Sequence, residues 1–160
     1  MNGRLLKKAL RSAEAYKLLD KITDEAKLTW LAGGCLILAK SLKMLYPAGE
    51  LLVVWNNRQQ HAEHAVLLLD GQILDGDGAS NRKGWLARYT EKEFGKMPWG
   101  YLSFQPFEPD YATGWFDVFD TRLAEFLAPR LGVRLDWGRA DDVLVRLDPL
   151  NAGTSLAATT

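Results

Sequence analysis

The chain has 160 residues, 48% of them hydrophobic, which is enough for one core and too little for two domains of ordinary size. Lys plus Arg and Asp plus Glu number 20 each, so the net charge is zero and no nucleic-acid partner is expected. No apolar run is long enough to cross a bilayer, and the basic start lacks the apolar stretch of a secretory signal, so the expectation is a cytoplasmic protein with no membrane partner.

Leu6, Ala9, Leu10, Ala13, Tyr16 and Leu19 recur at three- and four-residue steps between Lys7, Lys8, Arg11 and Glu14, predicting one amphipathic helix over Arg4 to Leu19. Thr23 and Asp24 are candidate caps for a second short helix toward Leu28. Trp30 and the pair Gly33-Gly34 then interrupt the pattern just before Cys35. Leu36, Leu38, Ala39, Leu42 and Leu45 form a helical apolar face that stops at Pro47 and Gly49, so Cys35 falls in the first turn of a buried helix. Leu51 to Trp55 reads as a strand. His64 to Leu69 and Gln72 to Asp75 read as two more, joined by a two-residue Asp70-Gly71 turn of type I′. Asp75 to Gly78 reads as loop, Trp85 to Phe94 as helix, and Pro98 to Phe107 as a further strand. Phe116, Phe119, Leu123, Phe126, Leu127 and Leu131 mark a last amphipathic helix, with Pro129 unwelcome near its end. Val133 to Leu150 is left unplaced. Residues 1–150 are read as a single α+β domain and 151–160 as a disordered tail.

Cys35 is the only cysteine, so it makes no internal disulfide and is either an inert buried thiol or a reactive one. A thiol attacks as thiolate, and the free amides and dipole of a helix N-terminus stabilise that anion. The same amides can hold an oxyanion, with glycines before the nucleophile letting a carbonyl approach; Gly33 and Gly34 are candidate substrate contacts and Trp30 a candidate side-chain donor. The Asp70-Gly71 turn pairs Leu69 with Gln72, which by counting back sets His64 opposite Asp77 and Val66 opposite Asp75. Direct pairing makes Asp77 the partner of the imidazole, and diagonal reach allows Asp75. Either carboxylate would fix the tautomer and stabilise the imidazolium once His64 has taken the thiol proton. His61 ranks below His64 as a base, because on a continuous strand it faces the other way. Metal is not expected: His61-x-x-His64 separates the imidazoles across a strand, no Cys-x-x-Cys is present, and Asp75-Gly-Asp77-Gly78 lacks the later acidic ligand of a calcium loop.

Trp30-x-x-Gly33-Gly34-Cys35 opening a helix, a strand beginning at His64, and Leu74-Asp75-x-x-Gly78 together resemble the Cys-His-Asp core of the papain-like superfamily, in its transglutaminase and arylamine-acetyltransferase branch. They are also similar to small papain-fold proteins of bacteria and phages, including toxin-like effectors. The resemblance covers Trp30 to Gly78. It implies a nucleophile helix packed on a small antiparallel sheet, with Cys35 as nucleophile, His64 as base and Asp75 as orienter. It also implies a cofactor-independent hydrolase, deamidase or acyltransferase, acting on a protein or peptide. No Cys-Gly-Ser-Cys-Trp-like segment and no upstream glutamine is present, so peptide hydrolysis in particular is not implied. The alternative is a phage- or prophage-derived binding or inhibitory protein that keeps the scaffold without catalysis.

Overall fold

A computed structural model describes residues 1–25, 27–95, 101–112, 115 and 120–135. Its first element is not one helix but two, α1 (Gly3–Leu10) and α2 (Ala13–Thr23). Both have side-chain caps. Asn2 accepts from the amides of Arg4 and Leu5, and Ser12 from that of Ala15, so Ser12 restarts the helix where apolar periodicity alone reads straight through. The expected cap at Thr23-Asp24 is instead the end of α2, where Asp24 closes the helix in the left-handed region at φ 53°.

α3 (Cys35–Leu45) is buried on almost every side, and its apolar residues make it the central helix of the core. A five-stranded antiparallel sheet follows, in the order β4-β3-β2-β1-β5, built from β1 (Glu50–Asn56), β2 (His61–Leu69), β3 (Gln72–Asp75), β4 (Gly78–Asn81) and β5 (Leu102–Pro106). α4 (Arg82–Phe94) and α5 (Arg122–Leu131) complete the described helices, with a short 3-10 turn at Pro109–Ala112. The molecule is therefore α+β with an antiparallel sheet. None of the described helices is long and apolar enough to cross a membrane.

The hairpin register is the one expected, Leu69 against Gln72, with both Asp70 (φ 50°) and Gly71 (φ 75°) at positive φ as a type I′ turn requires. Two strand boundaries differ from the sequence reading. β2 begins at His61 rather than His64, and a bulge against Val54/Trp55 resets its alternation. The loop expected after Asp75 is a two-residue turn into β4, with Asp75 paired to Gly78. β4 escapes sequence reading because Gly-Ala-Ser-Asn carries no β-branched or aromatic residue. The first residues of the strand expected from Pro98, Phe116 and Phe119 of the last helix, residues 136–150 and the tail 151–160 all lie outside the described residues.

Side chains alternate across the sheet. Leu67 and Leu74 pack with α1, α2, α3 and α5, whereas Leu52, Val54, Val66 and Ile73 pack with Trp85 of α4 on the opposite face. The start of α1 abuts edge strand β4. A Cβ on Gly78, itself at φ 103°, would lie 2.6 Å from the carbonyl oxygen of Gly3. Gly78→Ala is therefore expected to cost about 1–3 kcal/mol, through backbone strain and the clash with α1. A shifted urea midpoint measures this.

Candidate active site

Cys35 lies where α3 begins, after a turn in which Thr29 bridges to Ala32 and Gly33 and accepts the Gly34 amide at 3.0 Å. Gly33 holds φ 85°, and a Cβ on Gly34 would come 2.9 Å from the Thr29 carbonyl oxygen, so both glycines are needed to deliver the cysteine to the helix start. Trp30 serves the core: it is buried, and its Nε1 donates to Leu10 O at 2.9 Å, satisfying a carbonyl freed at the end of α1. That bond uses the indole N–H, which removes Trp30 as an oxyanion donor.

The thiol is buried against Leu36, Ala39, Leu51 and Ala65, with Phe107 and Trp115 packed over the group. Its pKa is pushed up, first by burial and more weakly by the charge of Asp75. The backbone N–H groups of Ala65, Leu36 and Cys35 pull the other way by stabilising the thiolate, and burial outweighs them. The low-pKa thiolate expected from a helix N-terminus is thus absent from this resting arrangement, although the three converging amides that would favour it are in place.

His64 is one residue from Ala65 on β2, yet its ring turns to the α4 face. There it lies 5.8 Å from the ring of Trp85 and 5.3 Å from that of Tyr89, centroid to centroid. It is fully buried, and neither ring nitrogen has a hydrogen-bond partner. Burial holds its pKa down to about 4, helped by the positive charge of Lys92 and opposed by Asp77. The imidazole is therefore neutral at pH 7, and the 3.9 Å between its Nε2 and Asp75 Oδ2 is a contact, not an ion pair.

Asp75 closes β3, also buried. Its Oδ2 accepts Trp85 Nε1 at 2.7 Å and its Oδ1 accepts the Asp77 amide at 2.9 Å. Burial raises its pKa, and these two bonds resist the rise. Of the two candidate carboxylates the geometry brings Asp75 to His64, by the diagonal reach. Asp77 follows the end of β3, so it has no place opposite His64; it takes Lys7 at 3.4 Å and Arg11 at 3.5 Å, and tethers α1. His61 is half exposed, 3.1 Å from Glu63.

α4 supplies what sequence reading did not single out. Trp85 and Tyr89, one helical turn apart, stack at 4.6 Å and 15°, roofing His64 while Trp85 binds Asp75. A signal was present, since a buried Trp N–H needs an acceptor and Asp75 was already a candidate orienting carboxylate at the end of β3. Among the described residues no group of His, Cys, Asp or Glu is arranged to hold a metal ion.

No family model, curated protein or solved structure matches the chain. The reading of the site therefore rests on its own chemistry.

Proposed function

We propose that this is a cysteine-dependent acyl-transfer enzyme with a papain-like core: a hydrolase, deamidase or transglutaminase-like catalyst acting on a protein or peptide. The observation that carries the reading is His64, a fully buried imidazole with two unsatisfied nitrogens, 3.9 Å from a buried aspartate and adjacent in sequence to the amide that contacts the Cys35 thiol. An unsatisfied buried polar group costs about 1–3 kcal/mol, and such a cost is commonly retained where the group has chemical work to do.

In the proposed step Cys35 Sγ attacks a carbonyl carbon, the S–C bond forms, and the carbonyl electron pair moves to oxygen. The amides of Cys35 and Leu36 stabilise the oxyanion. His64 takes the thiol proton, which requires its ring to turn from the α4 face toward Cys35, and Asp75, 3.9 Å from Nε2 in the resting arrangement, closes on the imidazolium that forms. The proton passes to the leaving amine or alcohol as its bond to carbon breaks, and water or an amine then releases the acyl group from sulfur. Both partners start neutral, so His64 acts as a general base during the attack, and no standing thiolate-imidazolium pair is needed.

The test is Cys35 alkylation by iodoacetamide across pH, followed by intact mass, in wild type and in His64→Phe, which fills the same space without a base. A drop of about tenfold or more at pH 7 in His64→Phe is expected, the lower end of what a positioned base contributes. Equal rates in the two proteins refute the reading. A binding or inhibitory module on the same scaffold is the second reading, favoured by one observation: Cys35 is only 7% exposed, within a cluster against which Phe107 and Trp115 pack. It predicts that loss of Cys35 and His64 leaves partner capture intact.

A further inference from the structure

α4 joins the fold through one deep anchor. Among its described side chains only Trp85 is buried; Leu86 and Tyr89 are half-buried, and Arg82 and Arg88 meet Phe104 and Ser80 at the surface. A cavity of about 340 Å³ lies along the helix, bounded by Tyr89 and Lys92 of α4 and by Leu31 and Asp77. We propose, building on the acyl-transfer reading, that α4 is an autoinhibitory latch on that site: Trp85 keeps it at rest by holding Asp75 and stacking on His64, and the site becomes competent when the indole lets go.

Three observations support the latch. The first is competition for one atom: Asp75 Oδ2 accepts Trp85 Nε1 at 2.7 Å, while His64 Nε2 stands 3.9 Å from the same oxygen, beyond hydrogen-bond reach. Oδ1 is engaged by the Asp77 amide at 2.9 Å, so the carboxylate that would orient the base is held by other donors at both ends. The second is the place of the imidazole. It lies against the rings of Trp85 and Tyr89 with neither nitrogen bonded, and turning toward Cys35 means leaving both rings. One helix thus restrains two of the three groups the reaction needs. The third is how lightly that helix is fixed. An element with a single buried side chain and a cavity along it opens at a lower free energy than the core, and the surface contacts of Arg82 and Arg88 can pass to water.

Two measurements on the full-length protein test this. Hydrogen exchange followed by mass spectrometry, corrected for intrinsic rates, is expected to show the α4 amides exchanging at least about tenfold faster than those of α3 and β2, which open only with the whole fold. That measurement needs no variant. Trp85→Phe keeps a ring but removes the donor to Asp75. Its Cys35 is expected to react with iodoacetamide at pH 7 about tenfold or more faster than that of wild type, the factor that a hydrogen bond to a charged group is worth, because the rate scales with the fraction of unlatched molecules. The gain is expected to vanish when His64→Phe is added, whereas a fold that is merely loosened keeps it. If the α4 amides are as protected as those of α3, if Trp85→Phe brings no gain, or if the gain survives in the double variant, the latch is overturned, while a His64-dependent reaction in wild type leaves the acyl-transfer reading standing. If the wild-type reaction shows no dependence on His64, that reading fails and the latch fails with it.

Discussion

Between pH 6.5 and pH 4 the wild-type protein is expected to lose about 3 kcal/mol of stability that His64→Phe retains, each pKa unit being worth about 1.4 kcal/mol. The sign follows from where the imidazole titrates. Unfolded, His64 takes up a proton as pH falls through its ordinary value of 6.5; folded, it resists until about pH 4. In that window the unfolded chain binds the extra proton, so acid drains stability from the native state, and the loss levels off once the folded imidazole also charges. Asp75 works in the opposite direction: burial raises its pKa, so acid relieves the cost of its buried charge. Glu14 and Asp120, both held below the ordinary range, lose stability with acid, but they do so in either protein. Urea unfolding of wild type and His64→Phe at pH 7, 6, 5 and 4 isolates the histidine by difference. At pH 7 the variant is expected to equal or exceed wild type, because a ring of similar shape replaces two unsatisfied nitrogens among Trp85, Tyr89 and Val66. A pH-independent difference between the two proteins would mean that the imidazole is hydrated or charged in solution.

Trp85→Ala is expected to be the most damaging single change on the α4 face, costing about 3–5 kcal/mol as a large aromatic side chain is removed from a packed core. Trp85 is fully buried, packs with Leu52, Val54, Val66 and Ile73, and contacts the rings of His64, Tyr89 and Phe104. Trp85→Phe separates packing from hydrogen bonding. It keeps a ring but removes the 2.7 Å donor to Asp75, at an expected cost of about 1.5–3 kcal/mol for a bond to a charged group. The same variant frees Asp75 Oδ2 to approach His64. Its imidazole pKa is accordingly expected to rise above the wild-type value of about 4, read from the ring proton shifts by NMR. An unchanged His64 titration in Trp85→Phe would show that the indole does not govern the Asp75-His64 contact.

The order of elements around Cys35 was legible because it is written in local signals. Apolar residues at helical spacing, the stop at Pro47 and Gly49, and the Asp70-Gly71 turn each act within a few residues, and α3 and the β2-β3 register follow from them. Two local signals were present and outweighed. Ser12 reads as one polar residue in an amphipathic helix until its hydroxyl is seen on the Ala15 amide, and Thr23-Asp24 suits either end of a helix.

The site itself was legible as a set of candidates and not as a constellation. Cys35, His64 and a nearby carboxylate could be nominated from type and order, since a strand's period and a turn's length limit which residues can face one another. The choice of Asp75 over Asp77 was made by β4, whose pairing folds the chain back directly after Asp75 and leaves Asp77 to Lys7 and Arg11. Protonation depended on distant packing too. A helix start favours a thiolate, but Leu51 and Ala65 of the sheet close around Cys35, in a cluster against which Phe107 and Trp115 pack, and α4 arrives to bury the imidazole. Desolvation is summed over every neighbour in space, and sequence period reports only the neighbours along the chain. The sequence by itself therefore determined which groups could carry the chemistry, and the tertiary structure decided which of them meet and in what charge state.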